Sequence, residues 1–315
     1  MQGANFKPFL RLGVAAAMTL AAIFIAMPPA MVSTRAQAGI AHPGTHFARI
    51  LIIVLENQNF DSAHRDPYLA RLAQQGADFT NFTALGHPSY PNYLAMVAGS
   101  SFGVQSDTQV NFPDDGEHRT VANFLEWKSY AENYPEFPKP FLGDRGKYAR
   151  KHVPLLSFAN IQKNGADRIV SVDTRDPHNH FVTDIQNFRN DPQKYPLPQY
   201  MFYSPNLDDD GHDPFFSPAT GLKKASHWLN NFFDDWFPLD EKMKGTLVVV
   251  TFDESESRER TNHIYTVFLG DMVKRGTVDK SYSHYSLLKT VEDNFGLPSF
   301  HAGDRDAEPI SGIWK

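Results

Sequence analysis

The chain has 315 residues, 41% of them hydrophobic and 13% aromatic, with 30 basic against 36 acidic residues and no cysteine. That is enough apolar surface for one large domain, or for a core with one insertion. No basic block or stripe is present, so there is no nucleic-acid footprint, and thiolate ligands and a cysteine nucleophile are excluded.

Residues 1–38 read as a secretory signal. Lys7 and Arg11 give a positive start, Leu12 to Ala26 form an uncharged apolar run, and Ala36-Gln37-Ala38 supplies a small-x-small cleavage pattern. An uncleaved anchor is the alternative, but Pro28 and Pro29 interrupt the run. Cleavage would leave residues 39–315 as a single secreted or periplasmic domain with no stable membrane span. It would remove Lys7, Arg11 and Arg35 and no acid, taking the net charge from −6 to −9. An exported chain without disulfides relies on its core or on bound metal. Any metal site must use oxygen and imidazole donors, which suits a hard or borderline divalent ion.

Ile50 to Leu55 is a continuous apolar run, largely β-branched, that reads as a strand buried on both faces. It ends abruptly in Glu56-Asn57-Gln58-Asn59. Pro67 to Gln75 reads as a helix stopped by Gly76. Then comes Gly86-His87-Pro88-Ser89-Tyr90-Pro91-Asn92-Tyr93, with a helix predicted from Asn92 to Ala98. A serine just ahead of a helix sits beside unpaired N–H groups that favour an anion; the plainer alternative is an N-cap serine.

Residues 103–119 are loop-like. Val121, Phe124, Leu125, Trp127 and Tyr130 recur at helical spacing, predicting a helix over 120–134. A proline- and aromatic-rich surface excursion follows, to about Asp144. Arg168 to Val172 and Gln199 to Tyr203 read as strands, the second running into Asp208-Asp209-Asp210-Gly211-His212-Asp213. Leu222 to Phe237 is an amphipathic helix. Thr246 to Phe252 is the clearest buried strand and ends in Asp253-Glu254. Tyr265 to Leu269 is a further strand, and Ser283 to Phe295 a final helix stopped by Gly296. Strands alternating with helices predict an α/β three-layer sandwich, a largely parallel sheet with helices on both faces.

Three polar clusters each follow a predicted strand: Glu56-Asn57, Asp210 with His212, and Asp253-Glu254. His284 opens the last helix. The carboxyl ends of strands are where open α/β sheets bind ligands, and carboxylates with imidazole suit a divalent cation. Taken singly, Glu56 is a helix cap, the aspartate run a solvated turn, and Asp253-Glu254 a loop start; the recurrence argues for a site. Gly99-Ser100-Ser101-Phe102-Gly103 matches G-x-S-x-G but lacks the preceding strand that a nucleophile elbow needs. His152, His178 and His180 read as loop histidines.

The chain resembles the secreted phosphoesterase family that includes acid phosphatases and bacterial phospholipases C. The resemblance rests on Ile53 to Asp61, His87 to Tyr93, Pro205-Asn206-Leu207 leading to Asp210-Gly211-His212-Asp213, Thr251-Phe252-Asp253-Glu254, and Ser283 to Asp293 closing with Phe295-Gly296-Leu297-Pro298. Lys151-His152-Val153-Pro154 is a weaker match. These pieces stand in the family's order along nearly all of residues 39–315.

The resemblance implies an alkaline-phosphatase-like fold and a phosphoric ester hydrolase using a divalent metal ion. It implies Ser89 as a phosphorylated nucleophile that also touches the metal site, and Asn92 as a ligand of phosphoryl oxygens. Glu56, Asn57, Asp210, Asp253 and Glu254 fall at metal-site positions, and His87, His212 and His284 at further active-site positions, with His212 or His284 protonating the leaving oxygen. The expected substrate is a small phosphate monoester; the alternatives are a phospholipid or other diester, or a non-catalytic metal-binding surface protein. Asp208, Asp209 and the charged run Ser255 to Arg260 depart from the family pattern.

Overall fold

The computed structural model describes Met1 and residues 44–212, 218–257 and 261–315. The expected export segment, Met1 aside, lies outside these residues, as do Asp213 and the charged positions 258–260. In chain order the first elements are β1 (Arg49–Leu55), α1 (Phe60–Arg65), α2 (Pro67–Ala73), β2 (Ala77–Phe79), β3 (Phe82–Thr83) and α3 (Ser89–Ala98). Next come β4 (Trp127–Glu132), α4 (Ala159–Asn164), β5 (Ile169–Val172), α5 (His180–Asn190), β6 (Tyr200–Ser204) and α6 (Pro218–Asn231). The chain closes with β7 (Thr246–Phe252), β8 (Thr266–Leu269), β9 (Gly276–Val278), β10 (Tyr282–Ser283), α7 (His284–Phe295) and α8 (Ala302–Arg305).

Among the described residues, eight strands form one sheet in the order β5-β4-β6-β1-β7-β8-β2-β9, and β10 pairs with β3 apart from it. β8 runs antiparallel to its neighbours β7 and β2, and every other pair in the sheet is parallel. The three-layer α/β architecture is therefore the one expected. Helices α3, α7 and α8 pack together as one layer; α1, α2, α6 and α5 make up the other. Covered on both sides, β1 and β7 have no face to give to water, which explains their unbroken apolar runs.

One aromatic cluster joins α5 to the sheet. Phe181 of α5 meets Tyr130, Tyr203, Phe232 and Phe237 at ring separations of 4.9 to 6.1 Å. In the sheet itself, Leu51 is fully buried between Met201 and Val248. Leu51→Ala is expected to cost about 2–5 kcal/mol, the transfer term plus a cavity that the strands cannot close. Urea unfolding measures it.

Two expectations are corrected. Residues 120–134 are not a helix: Thr120 caps a single short turn at 121–123, and Trp127–Glu132 is strand β4. Because β4 is buried on both faces, its apolar residues do not alternate, and their spacing imitates a helix. The helix predicted from Asn92 starts earlier, with Pro88 as N-cap and Ser89 as its first residue. Pro91 is tolerated there because the first turn's N–H groups have no helical partner. A helix not foreseen, α5, begins where the Asn179 side chain accepts the Val182 N–H, and it buries Phe181, Val182, Ile185 and Phe188.

The far end of α3 is held by acids. Gly99 ends it with φ +69, and a Cβ there would lie 2.1 Å from Asp304 Oδ1. Asp304 accepts the Phe300 and His301 N–H groups, and its carboxyl bears on that of Glu292 in α7. Burial first, then Asp304, pushes Glu292 up from 4.5 to about 9. Lys289, 3.9 Å away, and the Ser299 hydroxyl, 3.2 Å away, oppose this. A carboxyl with a raised folded-state pKa contributes stability that is complete below about pH 4.5 and lost as pH rises through about 9. Glu292→Gln is expected to flatten that alkaline decline, read from urea midpoints at several pH values across the window.

Candidate active site

The sheet register brings the polar clusters together. Leu55 pairs with Phe252, so Glu56 and Asp253 emerge side by side at adjacent strand ends. The Asp253 N–H donates to the Leu55 carbonyl at 2.8 Å, and the Glu56 N–H to the Asp210 carbonyl at 2.7 Å. Asp210 is placed by Asn206, whose carbonyl accepts its N–H. Asn206 is held in turn by Glu132 at the end of β4, which accepts its backbone N–H at 3.1 Å and its Nδ2–H at 2.8 Å. Gly211 has φ +105, and a Cβ there would sit 3.1 Å from the Glu56 carbonyl, so the turn beside β1 requires glycine.

Asn57 also lies in the left-handed region, at φ 24, which asparagine tolerates better than most side chains. This turns it back over the strand ends. Its N–H donates to Asp253 Oδ1 at 3.2 Å and its Nδ2–H to Glu254 Oε1 at 2.9 Å.

Ser89, in the first turn of α3, points at two of these acids. Its hydroxyl is 3.2 Å from Glu56 Oε2 and 3.4 Å from Glu254 Oε1. His87 Nδ1 is 2.9 Å from Glu254 Oε2. The six residues expected to line a metal site, Glu56, Asn57, Ser89, Asp210, Asp253 and Glu254, thus converge.

The histidines and Asn92 are placed differently from one another. His284 is fully buried, and its Nε2–H donates to the Asp253 carbonyl at 2.8 Å, leaving Nδ1 as a lone pair. Burial lowers its pKa to about 4, so the ring is neutral. His212 meets the cluster through its backbone, its N–H donating to Asp210 Oδ1 at 2.9 Å. Asn92 staples the loop that carries His87. Its Nδ2–H donates to the Gly86 carbonyl at 2.8 Å, its Oδ1 accepts the Leu85 N–H at 2.9 Å, and Glu254 Oε2 lies 3.5 Å from Nδ2.

His152 is not a loop histidine. It is buried, with Nε2 3.0 Å from Glu56 Oε1, and it stacks on Tyr93 at 5.1 Å. The Tyr93 hydroxyl donates to the same oxygen at 2.8 Å. Lys151 stands 3.8 Å from Glu56 Oε2. The sequence signal for this pair was its place in Lys151-His152-Val153-Pro154. Tyr93 carried no separate signal, because a tyrosine at helical spacing reads as core. The acidic run divides: Asp208 is exposed and pairs with Lys147, while Asp210 is buried.

Burial of so many acids at one point has an electrostatic consequence. Desolvation first, and then the charge of Glu56, raises Asp210 and Asp253 well above the usual carboxylate range and Glu254 to about 8. Burial acts against ionised Glu56 as well, but His152, Lys151 and the Tyr93 hydroxyl outweigh it and hold that carboxyl below its usual value.

Among the described residues, Asn57 Oδ1, Asp210 Oδ2, Asp253 Oδ2 and His284 Nδ1 of the cluster meet no donor. Unpaired buried acceptors are costly, and a set made only of oxygens and imidazole is the complement of a divalent cation. Ligand atoms of Glu56, His152 and Asp210 also lie within 4.8 Å of one another. The residues present fit a metal ion.

Known proteins agree in family and fold. The chain is 36% identical to a probable acid phosphatase of Kluyveromyces lactis over 85% of its own length, and it spans 62% of that protein. With a phosphatidylinositol-3-phosphatase of Mycobacterium tuberculosis it shares 33% identity over 98% of its length and 94% of the relative's. A crystal structure from Vibrio parahaemolyticus, described as a protein in the alkaline phosphatase superfamily, superposes with a TM-score of 0.57 at 14% identity. That superposition covers 85% of this chain and 71% of the other, and it concerns the fold alone. The Phosphoesterase family model matches residues 62–298. With that match across most of its length, the chain belongs to the Phosphoesterase family.

Proposed function

We propose that this chain is an exported hydrolase of phosphoric ester bonds, a phosphomonoesterase of the acid-phosphatase kind. In this reading Ser89 is the nucleophile, and Glu56, Asn57, Asp210, Asp253 and Glu254 hold a divalent cation with His284 Nδ1 beside them. The observation that carries it is a hydroxyl in the first turn of a ten-residue helix, within 3.4 Å of two buried carboxylates.

A serine hydroxyl is a weak nucleophile near neutral pH and needs an acceptor for its proton. Ser89 attacks the phosphorus in line and passes its proton to Glu56, the carboxylate that His152, Lys151 and Tyr93 keep ionised 3.2 Å away. The Oγ–P bond forms, the P–O bond to the alcohol breaks, and His87, paired with Glu254, protonates the leaving oxygen. Water then attacks phospho-Ser89, its proton goes to the His87–Glu254 pair, and Ser89 regains its own as P–Oγ breaks. Backbone N–H groups of the first α3 turn hold the phosphoryl oxygens. When bound, the cation would screen phosphate charge and acidify the serine hydroxyl.

The substrate is a phosphate monoester. A monoester on a lipid is the second candidate, favoured by the near-complete length match to the phosphatidylinositol-3-phosphatase. The test compares p-nitrophenyl phosphate, bis-p-nitrophenyl phosphate, phosphatidylcholine vesicles and vesicles carrying phosphatidylinositol 3-phosphate, with and without chelator. Faster turnover of the diesters overturns the monoesterase reading. Metal binding without turnover of any ester leaves a non-catalytic metal-binding protein. Export rests on residues 1–38; no described helix is long and apolar enough to cross a membrane.

A further inference from the structure

Glu132 closes β4 and lies outside the candidate cation site, yet it anchors one side of it. Its side chain is buried. Oε1 accepts the Tyr203 hydroxyl and the Trp228 Nε1–H, each at 2.9 Å. Oε2 takes both the backbone and the side-chain N–H of Asn206. All four of these donors are neutral. A buried carboxyl met by neutral donors adds little stability over an apolar side chain of its size, so its use lies in what it holds.

What it holds is the turn that delivers Asp210. The Asn206 carbonyl accepts the Asp209 and Asp210 N–H groups, each at 2.9 Å, and its Oδ1 accepts the Asp208 N–H at 2.8 Å. Every polar atom of Asn206 is thus spent on Glu132 or on the turn itself. Asp210 is buried, and its carbonyl holds the Glu56 N–H. Its Oδ1 takes the His212 N–H, which leaves Oδ2 without a donor among the described residues. One ligand atom of Asp210 lies within 4.8 Å of one on Glu56 and one on His152. Burial first, and then Asp209, pushes the Glu132 carboxyl up to about 8, and the Asn206, Tyr203 and Trp228 donors oppose that shift. The link to Asn206 needs an acceptor oxygen, which a carboxyl offers in either protonation state.

We propose that Glu132 is a positioning residue for the divalent cation: through Asn206 it fixes the 206–210 turn, and with it the unmet oxygen of Asp210. The inference rests on the cation site of the phosphoesterase reading and adds to it a residue outside the ligand set. A ligand oxygen is effective when held within about 0.5 Å of its place. Without the Glu132 acceptor, two Asn206 donors are left buried and unmet. The turn then relaxes, and the Asp210 carboxyl moves with it.

Calorimetric titration of the chelator-treated protein with Co²⁺ tests this, with the visible absorption of bound Co²⁺ as a second readout. Glu132→Met removes both acceptors at similar volume. It is expected to weaken Co²⁺ binding about 10- to 100-fold and to change the spectrum. Glu132→Gln can keep its oxygen on Asn206 while its Nε2–H donates to the Tyr203 hydroxyl. It should stay within about 3-fold of the parent and keep the parental spectrum. Tyr203→Phe and Trp228→Phe strip donors from the other oxygen, so they should melt lower but bind Co²⁺ within about 2-fold of the parent. Asn206→Ala breaks the same link from the other end and should behave as Glu132→Met does, which covers a Glu132→Met chain that does not fold. Parental affinity and spectrum in folded Glu132→Met, or in Asn206→Ala, overturn the proposal. So does an equal loss in Tyr203→Phe and Trp228→Phe, because affinity would then follow stability alone. A Glu132→Gln protein as weak as Glu132→Met makes charge the contribution and overturns positioning. A parent that binds no Co²⁺ overturns the cation site and this proposal with it. A parent that shows the expected pattern but hydrolyses no ester overturns the phosphoesterase reading and leaves the role of Glu132 standing.

Discussion

Ser89→Ala is expected to lower kcat on a phosphate monoester by at least about 10⁴-fold, the scale seen when a hydroxyl nucleophile is removed. The fold should barely respond. Ser89 is buried, but it is a donor among surplus acceptors, so deleting its hydroxyl leaves no orphaned N–H and costs about 1 kcal/mol. The protein should also lose the capacity to be labelled on the enzyme by a radioactive phosphate ester in an acid quench. A folded Ser89→Ala protein with parental kcat would end the assignment, and a labelled Ser89→Ala protein would move it to another residue.

Removing the metal is the second large effect expected. Dialysis against a chelator should abolish turnover, and adding back one divalent ion should restore it. Stability should fall as well, because Glu56, Asp210, Asp253 and Glu254 then face one another with acceptors unmet. An ion held at 100 times its dissociation constant is worth about 2.7 kcal/mol. In a chain of this size that corresponds to a melting temperature about 5–10 °C lower after chelation. The sign reverses in a variant. Asp253→Asn replaces a carboxyl whose ionised form burial and the Glu56 charge oppose, so its metal-free form should melt above the metal-free parent while binding metal more weakly. A chelated parent with full activity and an unchanged melting temperature would refute the cation site.

Much of the architecture could be read directly from the residues. Ile50 to Leu55 and Thr246 to Phe252 were recognisable because a strand covered on both sides has no polar face, and their terminal acids followed from strand-end chemistry. The same burial hid β4: with Trp127, Ser129, Tyr130 and Ala131 all enclosed, no alternation was left to distinguish it from a helix. Helix α5 had the Phe181, Val182, Ile185 and Phe188 spacing, but its start among Asp, Pro, His and Asn read as loop. His152 was legible only as part of a motif, since nothing local says that a histidine after a lysine will reach an acid 96 positions earlier.

The pairing of distant strand ends has a consequence for how the protein is made. The contacts that define the cluster join residues 165 and 197 positions apart, as in Ser89 with Glu254 and Asn57 with Glu254. They exist only after β6, β1 and β7 have aligned in parallel, a topology whose non-local closure makes folding slow. Helices α3 and α7 can form early without generating any of it. In a refolding time course, catalytic recovery should therefore trail helical signal and coincide with completion of the central strands, making turnover a late reporter of assembly.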